Sequence, residues 1–164
     1  MLERAWHCGL VLREALSLLV TLIERDPHAL PEKLLDLPEF ATQTEALVYL
    51  EEVRQWLDDM IIVALWGEFE TVLLDENLPI KEKKRNKSLL ECMYKGDVKL
   101  LLKILSIFGV SRAELERVCK QGKKLWRYRS WVAHGRRPYK VPDRWFPEDA
   151  HRFLSEVLSL FVIT

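Results

Sequence analysis

Hydrophobic residues recur at the 3.6-residue spacing of an α-helix through nearly the whole chain. The spacing predicts a first helix over 2–25, which an Asp-Pro pair ends, and a long second helix over about 42–76. The middle of this second helix, 60–66, is apolar on nearly every side and is therefore expected deep inside a bundle. The highly charged segment 80–87 is expected to be an exposed loop.

Shorter helical patterns follow in the second half of the chain. The segments 87–94 and 97–108 are predicted helices, and Gly96 and Gly109 punctuate them. Pro147, at a first helical position, opens a final helix that should run to about residue 162.

A capping box predicts the start of the helix between these segments. Ser111 and Glu114 have the required spacing, in which the serine accepts from a backbone N–H and the glutamate reaches back. This helix should run to about His134, with Gly135 as the residue that follows its end.

The length and composition fit one all-α domain. The chain has 164 residues with six Gly and seven Pro, and it contains neither an internal repeat nor a long linker. We therefore predict a single helical bundle over residues 1–164, with about five to six helices and a long central helix.

Composition also predicts where the chain resides. The most apolar stretches, 10–23 and 60–74, each contain two charged residues, so neither a membrane span nor any other membrane association is expected. A signal peptide is not expected either. Cys8, Cys92 and Cys119 form no CxxC pair, which favours a reducing, cytoplasmic location. No His or Cys has metal-ligand spacing, so neither a metal nor a cofactor is predicted.

A net charge of zero conceals a strong asymmetry along the chain. Residues 1–77 carry 16 acidic and 5 basic side chains, whereas residues 78–164 carry 9 acidic and 20 basic ones. The segment 120–140 contains no acid and several aromatic residues, a combination that suits RNA phosphates and exposed bases. Alternatively, the two halves neutralise each other across a shared surface. The bases of this segment are Lys120, Lys123, Lys124, Arg127, Arg129, Arg136, Arg137 and Lys140.

The helix that ends near His134 carries an arginine on its apolar face. The predicted core stripe consists of Leu115, Val118, Cys119, Gly122, Leu125, Trp126 and Ala133. Arg129 falls inside this stripe, and a buried guanidinium needs an anionic partner or a polar cavity. Ser130 and His134 share a helix face at its margin and are able to hydrogen-bond. The alternative is that Arg129 reaches the surface and His134 only caps backbone carbonyls.

These residues resemble the signature of a known family. The segment 129–134, RSWVAH, matches the R-x4-H motif of HEPN-domain proteins, and 128–136 is similar to their R-N-x-x-A-H-G form. The segment 66–70, WGEFE, also resembles an acidic-aromatic helix of such domains. The chain departs from the pattern at Ser130, where Asn is usual, and at Arg136, where one variant has Tyr.

The resemblance implies a metal-independent endoribonuclease, of the kind that acts as a toxin or defence effector. HEPN domains pair as homodimers, in which two motifs share one cleft. By this resemblance His134 transfers protons, Arg129 stabilises the phosphorane and Ser130 orients the histidine or the phosphate. The 2′-OH of the RNA is the nucleophile, and the products carry a 2′,3′-cyclic phosphate and a 5′-OH.

Further residues receive roles around this centre. The expected phosphate ligands are Arg127, Arg136, Arg137 and Lys140. Tyr128 joins this RNA-binding set, and it, Trp131 or Tyr139 is a candidate to stack a base. Glu70 is a candidate to pair with Arg129 when no RNA is bound. RNA, a second copy of the chain and an antitoxin or inhibitor are the expected partners.

The alternative function belongs to another class, a non-catalytic HEPN-like module that binds RNA or a partner protein. Ser130 favours it, since a serine has one donor where asparagine has two.

Overall fold

The computed structural model describes five α-helices. They are α1 (Leu2–Arg25), α2 (Gln43–Leu73), α3 (Ile80–Lys95), α4 (Arg112–Ala133) and α5 (Pro147–Phe161), with a short 3-10 turn at Pro38–Phe40. The described residues are 2–26, 34, 36–40, 42–96, 110–136 and 141–161. Within these ranges there is no β-strand, which confirms the all-α prediction.

The helix ends follow the capping residues in the sequence. Thr42 caps α2 by accepting from the backbone N–H of Glu45, and Ser111 forms the predicted capping box at the start of α4. Gly96 and Gly135 follow the ends of α3 and α4 with φ angles of 66° and 75°. These are left-handed conformations that glycine adopts without steric penalty. The long helix ends at Leu73, three residues before the predicted position.

The prediction of an exposed loop over 80–87 is wrong, because this segment is the first half of α3. Lys, Arg and Glu are good helix formers, and Pro79 precedes the first turn, where proline is tolerated. Asn86 lies buried on the inner face and donates from Nδ2 to the carbonyl of Leu73 at 3.0 Å. The charged residues of this segment therefore indicate the solvent-exposed face of a helix and not a loop. The predicted helix 97–108 and Gly109 lie outside the described residues.

Helix α2 lies at the centre of the bundle and contacts each of the other four helices. One hydrophobic core contains residues from all five, and Trp66, Phe69 and Leu73 of α2 are fully buried in it. The segment 60–66 is less enclosed than expected, because Met60 is 62% exposed. The surrounding helices cover most of α2 but leave one strip of it open to solvent.

The pair α1–α2 packs closely at a glycine. A Cβ on Gly9 would lie 2.8 Å from the Cγ1 and Cδ1 atoms of Ile61, so the two helices approach to a distance that only glycine permits without adjustment. By contrast, a Cβ on Gly67 of α2 would meet no atom within 4 Å.

Ion pairs also join α1 to α2 and α5. Arg13 of α1 pairs with Asp58 of α2, Nε to Oδ1 at 3.2 Å, and with Glu148 of α5. Burial raises the pKa of Asp58, and the attraction of Arg13 offsets only part of that rise. Burial acts in the same direction on Glu148, but there the hydrogen bond and charge of Arg13, together with a backbone hydrogen bond, outweigh it and the pKa is lowered.

Two findings bear on the expected location of the chain. Helix α1 is long and apolar enough to cross a membrane, by length and composition alone, and in this structure it packs along α2. Cys92 of α3 and Cys119 of α4 form a disulfide with a Cα–Cα distance of 5.7 Å, a pairing that their spacing did not indicate. Cys8 is a free, exposed thiol.

Candidate functional site

Helix α4 carries the candidate site at its C-terminal end. Its buried residues are Leu115, Val118, Cys119, Gly122, Leu125 and Tyr128. The predicted stripe is thus confirmed through Leu125, but Trp126 is half-buried and Ala133 is exposed. The prediction for Ala133 is wrong because the last turn of α4, from residue 131 onward, has no fully buried position.

Arg129 lies partly buried on α4. Its Nε atom is buried and has no hydrogen-bond partner, and within the described ranges its side chain forms no ion pair. An unpaired buried donor costs about 1–3 kcal/mol, and more where it belongs to a charged group. The expected inward position is therefore observed. Of the two expected surroundings, an anionic partner or a polar cavity, no anionic partner is found among the described residues.

Glu70 accepts a hydrogen bond from Tyr94 and does not pair with Arg129 in the described part of the structure. The hydroxyl of Tyr94 donates to Oε1 of Glu70. Burial, the hydrogen bond to Glu70 and its charge raise the pKa of Tyr94, and the charge of Arg129 lowers it in part. The rings of Trp66 and Trp126 lie 6.1 and 5.5 Å from that of Tyr94, centre to centre. Arg129 thus shares a polar neighbourhood with Glu70 and Tyr94 within an aromatic wall.

His134 is the C-cap of α4 and is exposed. Its backbone N–H donates to the carbonyl of Ser130 at 3.1 Å, but no hydrogen bond joins the two side chains in the described part of the structure. Two further bonds close the helix end, from Gly135 N to Val132 O at 3.0 Å and from Arg136 N to Trp131 O at 2.9 Å. Backbone hydrogen bonds therefore hold the helix end that carries the imidazole.

A buried carboxylate anchors the residues on both sides of this motif. Asp59 of α2 is 3% exposed and accepts from the hydroxyl of Tyr128 at 2.5 Å and from Nη2 of Arg136. Burial, together with this hydrogen bond, raises the pKa of Tyr128. Because Tyr128 is only 3% exposed, its expected place on the RNA surface needs correction: its ring belongs to the core.

The remaining predicted ligands occupy different settings. Arg136 is half-buried and held by Asp59, whereas Arg127 is exposed. Arg137, Tyr139 and Lys140 lie outside the described residues. The role of Asp59 was missed, although two adjacent aspartates inside the apolar run of a predicted helix were a usable signal. No group of three His, Cys, Asp or Glu side chains in the described ranges is placed to hold a metal.

Comparison of the chain with protein-family models, curated proteins and solved structures finds no match. The resemblance to the HEPN family therefore depends on the residues of α4 and on the helical fold.

Proposed function

We propose that the chain is an endoribonuclease that cleaves RNA without a metal ion, with Arg129, Ser130 and His134 at its centre. The observation that carries the proposal is the buried Nε of Arg129, which has no hydrogen-bond partner among the described residues. A protein tolerates such a group where a ligand supplies the missing acceptor, and a guanidinium matches the oxygens of phosphate and carboxylate groups. Because the segment 120–140 is basic, a phosphate of RNA is the proposed ligand.

The proposed reaction is a transesterification within the RNA. The 2′-OH attacks the adjacent phosphorus, and the P–O5′ bond breaks to leave a 2′,3′-cyclic phosphate and a 5′-OH. His134 accepts the 2′-OH proton or delivers a proton to the leaving oxygen, with the histidine of a second copy in the other role. Arg129 stabilises the extra charge of the phosphorane, and Ser130 donates to a phosphate oxygen or orients the imidazole.

Arg127 is the exposed basic residue next to this centre and is proposed to hold the RNA backbone. Arg137 and Lys140 keep the same proposed role. Pairing of two chains, which the mechanism uses, is supported by exposed apolar side chains on α1, where Val11 and Leu18 are 68% and 63% exposed. A cytoplasmic toxin or defence role, with a protein inhibitor as partner, is part of the same proposal.

A specific observation favours the second candidate, a module that binds RNA or a partner protein without cleaving it. The side chains of Ser130 and His134 are not joined in the described structure, so the imidazole is not oriented before substrate arrives. A catalytic base normally receives such support.

Cleavage of RNA in the presence of EDTA distinguishes the two candidates. We expect the chain to cut single-stranded RNA in chelator and to leave 2′,3′-cyclic phosphate and 5′-OH ends. His134→Ala should lose this activity and remain folded, because the side chain is exposed. His7→Ala, which removes an exposed histidine of α1, is the matched control and should retain it. Binding without cleavage by every variant would support the binding module.

A further inference from the structure

Trp56 of α2 is 67% exposed, although a large aromatic side chain is normally buried. The guanidinium of Arg136 lies over its ring, with Cζ 6.0 Å from the ring centre, and also over the ring of Trp131 at 5.8 Å. Asp59 holds the same guanidinium from the core side. Arg136 and both indoles therefore form one cation–aromatic group next to the end of α4.

A hollow of about 140 Å³ adjoins this group. Arg136 and Trp131 form part of its lining, and Gln55, Arg144 and Pro142 supply other parts. The amide of Gln55 both donates and accepts hydrogen bonds, and the guanidinium of Arg144 donates several. The hollow thus combines flat faces with groups that are able to hydrogen-bond to the edge of a planar heterocycle.

We propose that Trp56, Arg136 and the adjoining hollow form a stacking subsite for one unpaired base of single-stranded RNA. This inference depends on the proposed function and assigns it a recognition residue outside the R-x4-H segment. Unpaired bases stack on aromatic rings and on arginine planes, and hydrogen bonds to their edges add preference among bases. A base in a duplex does not offer its face, so the subsite requires a single strand.

The charges around Arg136 favour a base over a phosphate as the occupant. Asp59 already compensates the guanidinium, so Arg136 does not present the uncompensated charge that would select a phosphate. The phosphate is assigned to Arg129, whose buried Nε lacks an acceptor. An apolar side chain of a protein partner would fit less well, because the charged groups of Asp59, Arg136 and Arg144 line the hollow.

Binding of an adenosine homo-oligomer of about 12 nucleotides to the His134→Ala chain tests the subsite. We expect Trp56→Ala to weaken binding by about 5- to 100-fold, the effect of losing one stacked base. Trp56→Phe should recover most of the affinity. Met60→Ala removes an equally exposed apolar side chain from the same helix and should leave binding unchanged.

Two results would overturn the inference while the proposed function stands. One is unchanged affinity of Trp56→Ala for the oligomer, when the parent chain cleaves RNA in EDTA. The other is a fall in molecular mass in light scattering on substitution of Trp56, which would assign this residue to an interface between copies. If the parent chain neither cleaves RNA nor binds the oligomer, the proposed function and the subsite both fail.

Discussion

Replacement of Arg129 by methionine should stabilise the fold and abolish cleavage of RNA. The substitution keeps an unbranched side chain of similar length, and the two residues have nearly equal helix propensity. What it removes is a buried Nε donor that has no partner in the structure. Loss of function combined with a gain in stability is the signature of a residue kept for its ligand.

The expected gain in stability follows from the free-energy cost of an unpaired buried donor. That cost is about 1–3 kcal/mol. Arg129 is only partly buried, so water reaches some of its head and the lower end of the range applies. We expect the free energy of unfolding to rise by about 1 kcal/mol, which raises Tm by roughly 2–4 °C in a domain of this size. Urea unfolding followed by tryptophan fluorescence measures the change.

Arg136→Met is the matched control, since it removes a guanidinium three residues after the end of the same helix. Arg136 is paired with Asp59, so its removal leaves a buried carboxylate without its cation. Because the arginine side chain is 36% exposed, we expect a loss of about 2 kcal/mol, below the roughly 3–5 kcal/mol for a fully buried pair. The two substitutions should therefore have opposite signs. A loss of more than about 1 kcal/mol for Arg129→Met would mean that its guanidinium has a structural partner, and the reasoning would fail.

Three further predictions concern the scaffold. Asp59→Ala should lower the free energy of unfolding by about 3 kcal/mol and Tyr128→Phe by about 1–2 kcal/mol. The double variant should lose less than the sum, because the two substitutions remove the same hydrogen bond. Additive losses in urea unfolding would contradict this. The pKa of Glu148 is lowered in the fold, so its stabilisation is present above its unfolded pKa and lost as pH falls through the folded one. The stability gap between the chain and Glu148→Gln should thus shrink on going from about pH 6 to about pH 3, and a constant gap would refute it. Gly9→Ala should be less stable than Gly67→Ala by about 1–3 kcal/mol in thermal unfolding, because only the former adds a methyl to a close helix contact.

Sequence reasoning located the helices best where a local backbone rule applies. The capping box at Ser111, the left-handed glycine at 135 and the start of α5 at Pro147 all lie where they were predicted. Each depends on a few neighbouring residues, so the sequence alone contains the information needed. The inward position of Arg129 belongs to the same class, because it follows from the period of one helix.

The partners of these residues could not be predicted in the same way. Which carboxylate meets Tyr128 depends on the packing of α2 against α4, and Asp59 is 69 residues away in sequence. The pairing of Glu70 with Tyr94 joins α2 to α3 and likewise depends on the arrangement of the bundle. The loop prediction for 80–87 fails for a different reason. It depends on the total charge of the segment and not on the spacing of its polar and apolar residues. The buried side of this helix contains Asn86, Leu89 and Leu90, and the last two lie beyond the segment.

Tyr128 and Arg129 are adjacent on α4 and have opposite polar environments. The hydroxyl of Tyr128 is fully satisfied by a buried carboxylate, which fixes this turn of the helix against the centre of the bundle. Arg129, one residue later, is held by the same backbone but keeps a buried donor without an acceptor. The anchor at Tyr128 fixes the backbone from which the Arg129 side chain extends against the core. Exposed motif residues without such an anchor would have to be ordered when the RNA binds, whereas here the arginine backbone is already in place. The anchor at Asp59 and the unpaired Arg129 therefore work together, and weakening the first should reduce the RNA affinity that the second provides.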